Sequence, residues 1–437
     1  MKKFILAALV LMFALQACTL PALAPAKSTI TPTPSLTFTI TPSPTVTITP
    51  TAIPSPTPTP PPEMRVAEGD HALFNGDYEA AQDAYSTALS NSSDPAIFSA
   101  ALLGLGRYYY LTGVYSNALT EFRQIIDEYP SSSQVADAYY FLGETFMQLD
   151  RYSEAADAYS SYLTIQPGVL DAFFNEKRGD ALSAAGDSTE ALNAYTTAVQ
   201  SPRLPTNFSL ELKLAQAYVS LGDYTTAMVM YDDIFTRTSS DSIKAQVDYT
   251  RGQMYSVLGQ SEQATTAYVD AVINYPKAYY AFLSLVELVN TGYPIDDLQR
   301  GIIDYNAGQY GVALEAFNRF LTFNDASSST ALYYKGLILR QQDDYPSAIA
   351  MWDFVIQGDP SSLEWDAAWE QKAYTQWAYQ NDFSSGEQTL LDFVSTAPTH
   401  PRAAEFLFDA GRTAERDDRL EDAALIWQRI PAEYPNS

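Results

Sequence analysis

Cysteine and histidine are nearly absent from this chain of 437 residues. One cysteine and two histidines are too few for a disulfide framework, and neither His71 nor His400 has a second His or a Cys at ligand spacing. Basic residues are also scarce, because 25 Lys and Arg stand against 52 Asp and Glu, a net charge of −27. This charge argues against nucleic acid and against electrostatic attachment to anionic lipid. The composition therefore predicts no metal, no cofactor and no nucleic-acid partner.

Catalytic motifs are missing as well. Carboxylate pairs such as Asp127-Glu128 and Asp417-Asp418 fall at predicted helix ends and turns, where they cap helices or are solvated. Gly104-Leu105-Gly106 has some resemblance to a phosphate loop, but it lies in a helical pattern without a preceding strand. We therefore predict that the chain is not an enzyme.

The N-terminus has the features of an export signal. Two lysines precede an apolar run from Phe4 to Leu15, which is shorter than the ~20 residues of a membrane span. The run ends in the letters LQAC, which resemble the lipobox of bacterial lipoproteins, and this Cys18 is the single cysteine of the chain. The resemblance implies a signal peptide over residues 1–17, acylation of Cys18, and a lipid anchor in the cell membrane facing the periplasm or the exterior. Ordinary signal cleavage after Ala24 is the alternative.

Residues 18–62 are dominated by Thr, Pro and Ser. Such a segment buries too little apolar surface to offset its ordering entropy, so the sequence predicts a disordered linker. Its prolines favour extended polyproline II at about 3.1 Å per residue, which gives a length on the order of 100 Å. Behind a lipid anchor this linker would hold the globular part away from the membrane; a neutral linker is the alternative.

From Glu63 onward a short helical hairpin recurs. In residues 102–130, apolar residues at helical spacing stand on both sides of Gly113, and the pattern ends at Pro130. Two helices this short cannot bury both faces alone, so the hairpin must stack on copies of itself.

Ten copies share three marked positions. The turn residue is one that tolerates the left-handed conformation: Gly76, Gly113, Asp150, Gly186, Gly222, Gly259, Gly308, Asp343, Asn381 and Asp418. Seven residues earlier a small residue, here named the slim residue, keeps the first helix narrow: Gly69, Gly106, Gly143, Gly179, Ala215, Gly252, Gly301, Gly336 and Gly411, with Tyr374 as the exception. Nine residues after the turn stands a large apolar group: Tyr85, Phe122, Tyr159, Tyr195, Tyr231, Tyr268, Phe317, Trp352, Leu390 and Trp427.

This pattern resembles the tetratricopeptide repeat family over most of the chain. The resemblance implies an all-α, right-handed superhelical solenoid of about ten helix–turn–helix repeats, behind the signal peptide and the linker. The step from Gly259 to Gly308 is 49 residues, and Lys277–Asn290 has the periodicity of an additional helix. We therefore predict two lobes, six repeats in 63–276 and an irregular insertion followed by four repeats in 277–437.

The family resemblance also implies a partner-binding groove. In the family, the first helix of each repeat lines a concave groove with the residues three before, one after and four after the slim residue. The implied groove residues here are Leu103, Arg107, Tyr110, Tyr140, Glu144, Met147, Tyr249, Gln253, Ser256, Phe408, Arg412 and Glu415. Rings with scattered polar groups suit peptide or glycan recognition. The family's Lys and Arg clusters for terminal carboxylates are absent, which argues against an acidic peptide tail as the ligand.

Residues 278–321 also resemble the helical arm of soluble lytic transglycosylases, enzymes that cut peptidoglycan. Those enzymes carry a catalytic Glu followed by Ser in a domain after the arm, and no Glu of this chain is followed by Ser. Three functions therefore remain open. The first is a membrane-anchored exported scaffold for protein partners in the bacterial cell envelope. The others are the non-catalytic arm of a peptidoglycan-cleaving enzyme and an envelope assembly-factor lipoprotein.

Overall fold

The computed structural model describes residues 60–168, 170–201, 207–325 and 327–437, which contain 21 α-helices, one π-helix and no strand. The helices are α1 (Pro62–Phe74), α2 (Tyr78–Asn91), α3 (Pro95–Leu111), α4 (Tyr115–Glu128), α5 (Val135–Gln148), α6 (Tyr152–Ile165), α7 (Asp171–Ala184), α8 (Ser188–Val199), α9 (Phe208–Ser220), α10 (Tyr224–Arg237), α11 (Asp241–Val257), α12 (Ser261–Asn274), α13 (Tyr279–Asn290), α14 (Asp297–Asn306), α15 (Tyr310–Phe323), α16 (Ser329–Gln341), α17 (Tyr345–Gln357), α18 (Trp365–Tyr374), the π-helix (Thr375–Tyr379), α19 (Phe383–Thr396), α20 (Ala403–Arg416) and α21 (Leu420–Glu433).

These helices form ten hairpins and one additional helix. The six hairpins from α1–α2 to α11–α12 are called repeats 1 to 6, and the four hairpins from α14–α15 to α20–α21 are called repeats 7 to 10. Each repeat packs on its neighbours in sequence. The first helix of a repeat is called helix A and the second helix B. The all-α fold predicted from the sequence is confirmed.

All ten predicted turn residues adopt the left-handed conformation, with φ between +56° and +84°. Helix B starts two residues later in every repeat. In repeats 1, 4, 5, 8 and 9 the residue between is an Asp whose carboxylate accepts a hydrogen bond from a backbone N–H in the first turn of helix B. This cap satisfies one of the amide groups that a helix start leaves open.

In eight repeats the core is the contact between a slim glycine of helix A and the ring of helix B. A Cβ atom added to Gly69 would lie 2.6 Å from Cε1 of Tyr85, far inside van der Waals contact. Seven further glycine–ring pairs are equally close: Gly106–Phe122, Gly143–Tyr159, Gly179–Tyr195, Gly252–Tyr268, Gly301–Phe317, Gly336–Trp352 and Gly411–Trp427. Gly104 also meets the ring of Tyr85, so packing between repeats explains the glycine that resembled a phosphate loop.

The additional helix α13 packs like a helix A that has no helix B. It starts at Tyr279, two residues after the predicted start, and contacts α11, α12 and α14. Its Leu285 and Leu288 share one apolar cluster with Tyr268 of α12 and Ile303 of α14. The two-lobe boundary between 276 and 277 stays a prediction, and these contacts run across it.

The predicted signal peptide (1–17), Cys18 and the linker up to residue 59 lie outside the described residues. The predicted linker extends to Pro62, but α1 already begins there, because the fixed φ of proline suits the first position of a helix. Within the described ranges, no helix combines the length and the apolar character that a membrane span needs.

Candidate partner-binding groove

The predicted groove residues divide into two groups by exposure. Seven are half-buried: Leu103, Arg107, Tyr110, Tyr140, Glu144, Met147 and Tyr249. Five are exposed: Gln253, Ser256, Phe408, Arg412 and Glu415. None is fully buried, so all twelve leave some surface to a ligand.

The structure connects the half-buried rings of repeats 2 to 4 in one aromatic tract. The ring of Tyr110 lies 6.2 Å from that of Phe141, which lies 4.8 Å from that of Tyr140. Tyr140 in turn meets the buried Phe174 of α7 edge-on at 5.7 Å. Tyr115, at the start of α4, lies 6.0 Å from Tyr110 and extends the tract. Rings held by other rings lose little conformational freedom on binding, so they suit the anchoring of a partner.

Beside this tract, Glu144 is engaged within the protein. The hydroxyl of Tyr159 donates a hydrogen bond to Glu144 Oε1 at 2.6 Å, and Lys177 Nζ lies 2.7 Å from the same oxygen. Burial raises the pKa of Tyr159 far above its usual range, and the hydrogen bond to Glu144 raises it further. Lys177 also lies 5.2 Å from the ring centre of Phe173. Glu144 therefore has a structural partner that sequence reasoning did not foresee.

The same bond recurs in three further repeats in which the ring of helix B is a tyrosine, but not in repeat 6, where Gln253 donates a hydrogen bond to Tyr249 instead of accepting one from Tyr268. The Tyr85 hydroxyl donates to Asp70 at 2.8 Å, that of Tyr195 to Asp180 at 2.9 Å, and that of Tyr231 to Gln216 at 3.4 Å. Each acceptor directly follows the slim residue. Where the ring lacks a hydroxyl, this place is held by Arg107, Ile302, Leu337 or Arg412. The tyrosine and its acceptor stand 15 residues apart in the sequence, so the hydrogen bond could have been predicted. It was missed because the position after the slim residue was assigned to the groove.

A pocket of about 380 Å³ opens between α7, α9 and α11. Its lining includes Tyr195, Lys213, Tyr231, Ile243 and Gln246. Lys213 Nζ donates hydrogen bonds to Glu176 at 2.7 Å and to Asp180 at 2.8 Å. Burial lowers the pKa of Lys213, but these two hydrogen bonds outweigh burial and the pKa lies above its ordinary value. Because Lys213, the one charged residue of the lining, is paired with two carboxylates, the pocket offers a ligand a partly aromatic site without a free cation.

Repeat 9 departs from the pattern through its π-helix. In repeat 2 the residue after the turn, Val114, donates its backbone N–H five residues back, to Tyr109. In repeat 9 the equivalent Asp382 reaches six residues back, to Gln376, which shows one extra residue in helix A. The buried Ala373 therefore takes the slim position, and Tyr374, which the constant spacing assigned there, is 38% exposed.

The chain matches the family model described as tetratricopeptide repeat over residues 66–133, 132–169, 176–236, 298–353 and 378–437. These stretches cover more than half of the chain. The chain belongs to the tetratricopeptide repeat family. No protein with a curated description matches it.

Several solved structures resemble this tetratricopeptide repeat protein. MamA of Desulfovibrio magneticus RS-1 is 19% identical, with 40% of this chain and 93% of MamA covered and a TM-score of 0.35. PilF of Pseudomonas aeruginosa is 18% identical, with 52% and 97% covered and a TM-score of 0.37. The quorum sensor NprR of B. thuringiensis is 14% identical, with 85% and 98% covered and a TM-score of 0.34.

Tetratricopeptide repeat proteins are scaffolds that bind protein partners, and no catalytic family is indicated by these matches. The described residues contain no group of three or more His, Cys, Asp or Glu side chains that could hold a metal ion. The resemblance to the arm of lytic transglycosylases is supported by none of these matches and stays a prediction.

Proposed function

We propose that this chain is an exported, lipid-anchored tetratricopeptide repeat scaffold of the bacterial cell envelope, which binds protein partners through the aromatic tract of repeats 2 to 4. The observation that supports binding is the tract itself, in which half-buried Tyr110 and Tyr140 are fixed by neighbouring rings. The anchor rests on the sequence, where the single cysteine ends a lipobox-like run. Between the two, the Thr/Pro-rich segment serves as the spacer.

The anchor is tested by substitution of Cys18. Metabolic labelling with a fatty-acid analogue should mark the wild type and not Cys18→Ser, and the variant should leave the membrane fraction or accumulate as uncleaved precursor. An unlabelled wild type would contradict the lipid anchor.

Partner binding is tested by crosslinking in intact cells followed by mass spectrometry. Truncation of a tyrosine in a partner's pocket costs about 2 kcal/mol, roughly a thirtyfold loss of affinity. The double variant Tyr110→Ala, Tyr140→Ala should therefore lose the crosslinks of the wild type. Tyr293→Ala is the matched control, because Tyr293 is 41% exposed in the turn after α13, far from the tract along the chain.

Peptidoglycan remains the partner expected if the chain acts as the arm of a cleaving enzyme. Strong cosedimentation with purified peptidoglycan, together with the absence of protein crosslinks, would favour this alternative. The assembly-factor function would be favoured by crosslinks to envelope proteins whose assembly fails when the chain is deleted.

A further inference from the structure

Arginines without an ion pair are concentrated around repeat 9. Of the fifteen arginines in the described part of the chain, eleven lie within 4.0 Å of a carboxylate oxygen. The other four are Arg123, Arg340, Arg412 and Arg416. Arg340 belongs to α16 of repeat 8, and Arg412 and Arg416 belong to α20 of repeat 10, so three of the four flank the π-helix. In a chain with twice as many acids as bases, this is unexpected.

The guanidinium group of Arg340 is held by aromatic rings. Its central carbon lies 5.5 Å from the ring centre of Trp352, 5.4 Å from that of Tyr374 and 5.5 Å from that of Tyr379. Nη1 donates a hydrogen bond to Gln371 Oε1 at 2.6 Å, whereas the buried Nε has no partner among the described residues. Stacking on rings fixes the plane of the cation and removes part of its water.

Arg416 is held in the same way on the other side of the π-helix. Its central carbon lies 4.3 Å from the ring centre of Trp377. Trp377 meets Tyr374 edge-on at 5.2 Å, and these two rings therefore link the two guanidinium groups. Counted from Ala373, Tyr374 and Trp377 stand one and four residues after the slim position, which are implied groove positions, and the extra residue of helix A follows Ala373 within the π-helix. A π-helix in an otherwise regular array often marks a functional position.

We propose that this surface, formed by Arg340, Tyr374, Trp377, Tyr379 and Arg416 and called here the arginine–aromatic site, binds the carboxylates of an acidic segment in a partner protein. The proposal rests on the scaffold function proposed above and names the chemistry of one partner. Arg340 is half-buried without a carboxylate in contact, which is costly to the free protein, whereas Arg416 is exposed and interacts with Asp409 without forming an ion pair. A planar carboxylate matches the free N–H edges of a stacked guanidinium. Two such cations suit a segment that carries several Asp or Glu side chains.

The arrangement favours a peptide carboxylate over a sugar ring. Arg340 lies over Tyr374 and Tyr379, and Arg416 lies over Trp377, so each ring already has a guanidinium stacked on it. The rings therefore position the cations, and the cations present hydrogen-bond donors. This site was not found in the sequence, where the absence of a basic cluster was expected. The arginines are separated by 76 positions, and the π-helix that brings rings between them interrupts the regular spacing.

The test uses the purified full chain and a fluorescently labelled, end-blocked peptide of eight glutamates, with eight glutamines as the neutral probe. Binding is followed by anisotropy at about 0.15 M salt, where the Debye length of about 8 Å screens the net negative charge of the chain. The wild type should bind the glutamate peptide and not the glutamine peptide. The double variant Arg340→Gln, Arg416→Gln should weaken binding at least about tenfold.

Arg123→Gln is the matched control. Arg123 also has no ion pair among the described residues and also stacks on a ring, that of Phe146 at 5.6 Å, but it lies in repeat 2. Its substitution removes the same charge and should change the affinity less than about twofold. Arg340→Lys keeps the charge but loses the planar fork, and it should weaken binding clearly while the circular dichroism spectrum stays that of the wild type.

Three outcomes would overturn the proposal: no binding of the glutamate peptide, equal weakening by Arg123→Gln, or full binding by the double variant. Binding of a muramic-acid disaccharide, which carries a lactyl carboxylate, without binding of the glutamate peptide would also overturn it and point to glycan. The scaffold function is measured separately by the crosslinks that depend on Tyr110 and Tyr140. Crosslinks without glutamate binding would reject the arginine–aromatic site alone, and glutamate binding without crosslinks would reject the tract alone.

Discussion

Single residues in this protein are constrained by the distance between the two helices of a repeat. The slim glycines illustrate this, because their place in a helix interior costs about 1 kcal/mol relative to alanine, which a soluble helix would ordinarily avoid. They persist because the ring of helix B occupies the space that a Cβ would take.

Gly143→Ala should therefore destabilise the protein in spite of the better helix propensity of alanine. Forcing the ring of Tyr159 aside should cost about 1–3 kcal/mol, which exceeds the gain in propensity. Gly311→Ala is the control, since Gly311 lies in α15 with nothing within 4 Å of an added Cβ. Urea unfolding should show an unchanged or slightly raised stability for Gly311→Ala. A stabilised Gly143→Ala would contradict the close contact.

Asp248 makes the stability of the protein depend on pH. Burial raises the pKa of this carboxyl to about 6, the nearby Asp270 adds to the rise, and Arg251 and Lys244 oppose it. Tyr275 also faces the group, and Arg251 is shared with Asp232. Because the folded protein binds this proton more tightly than the unfolded chain, the carboxyl destabilises the fold at pH 7. Its unfavourable contribution disappears as the pH falls from about 6 to about 4.

Asp248→Asn should accordingly stabilise the protein at pH 7, by about 1–3 kcal/mol for a shift of roughly two units, and leave stability unchanged near pH 4. Arg251 keeps Asp232 as its ion-pair partner in the variant. The difference in free energy of unfolding between variant and wild type, measured at several pH values, checks the prediction. A difference that does not vary between pH 4 and 7 would show that Asp248 does not titrate in this range.

At the scale of elements, the π-helix is the one irregular helix in the described part of the chain, and its single extra residue can be removed. Deletion of the exposed Ala378 should convert the segment to α-helix and restore the seven-residue spacing before Asn381. We expect the free energy of unfolding to stay the same or rise. Binding of the glutamate peptide should be lost, because Trp377 and Tyr379 lie within the π-helix and would move relative to Arg416 and Arg340 when it becomes an α-helix. Retained binding in a folded deletion variant would separate the site from the π-helix.

The elements show where sequence reasoning was sufficient and where it was not. Turns, helix starts and core pairs follow from local chemistry, so the left-handed residues from Gly76 to Asp418 were predicted correctly. Tyr374 was placed at the slim position by counting seven residues back from the turn residue Asn381. This count fails because helix A of repeat 9 contains one extra residue, which its composition does not reveal. The surroundings of Arg340 depend on packing between repeats, which one repeat's sequence does not contain. The signal for the insertion was present in Gly386, where the other repeats have alanine and where a Cβ would lie 3.0 Å from Trp377 Cβ.

At the scale of the whole molecule, α13 decides how the two halves depend on each other. A fragment that ends at Pro276 would expose Tyr268 and Val272, which α13 covers in the intact protein. A fragment of residues 63–293 should therefore be more stable than one of residues 63–276, with a higher midpoint in urea. Equal midpoints would show that the first six repeats need nothing from α13, as the predicted boundary implies.

The hydrogen bond between the helix B tyrosine and the acceptor of helix A also limits how copies of this hairpin can be recombined. Donor and acceptor lie 15 residues apart on opposite sides of the turn, as in Tyr85 and Asp70. A chimaera spliced at a turn could join a phenol to Ile302 or Leu337 and leave a buried hydroxyl without an acceptor, at a cost of about 1–3 kcal/mol. A splice between helix B and the next helix A transfers both residues together. A whole hairpin, from the start of helix A to the end of helix B, can therefore be exchanged between related proteins with its hydrogen bond intact. An equally long segment that runs from one helix B to the next helix A would separate donor and acceptor.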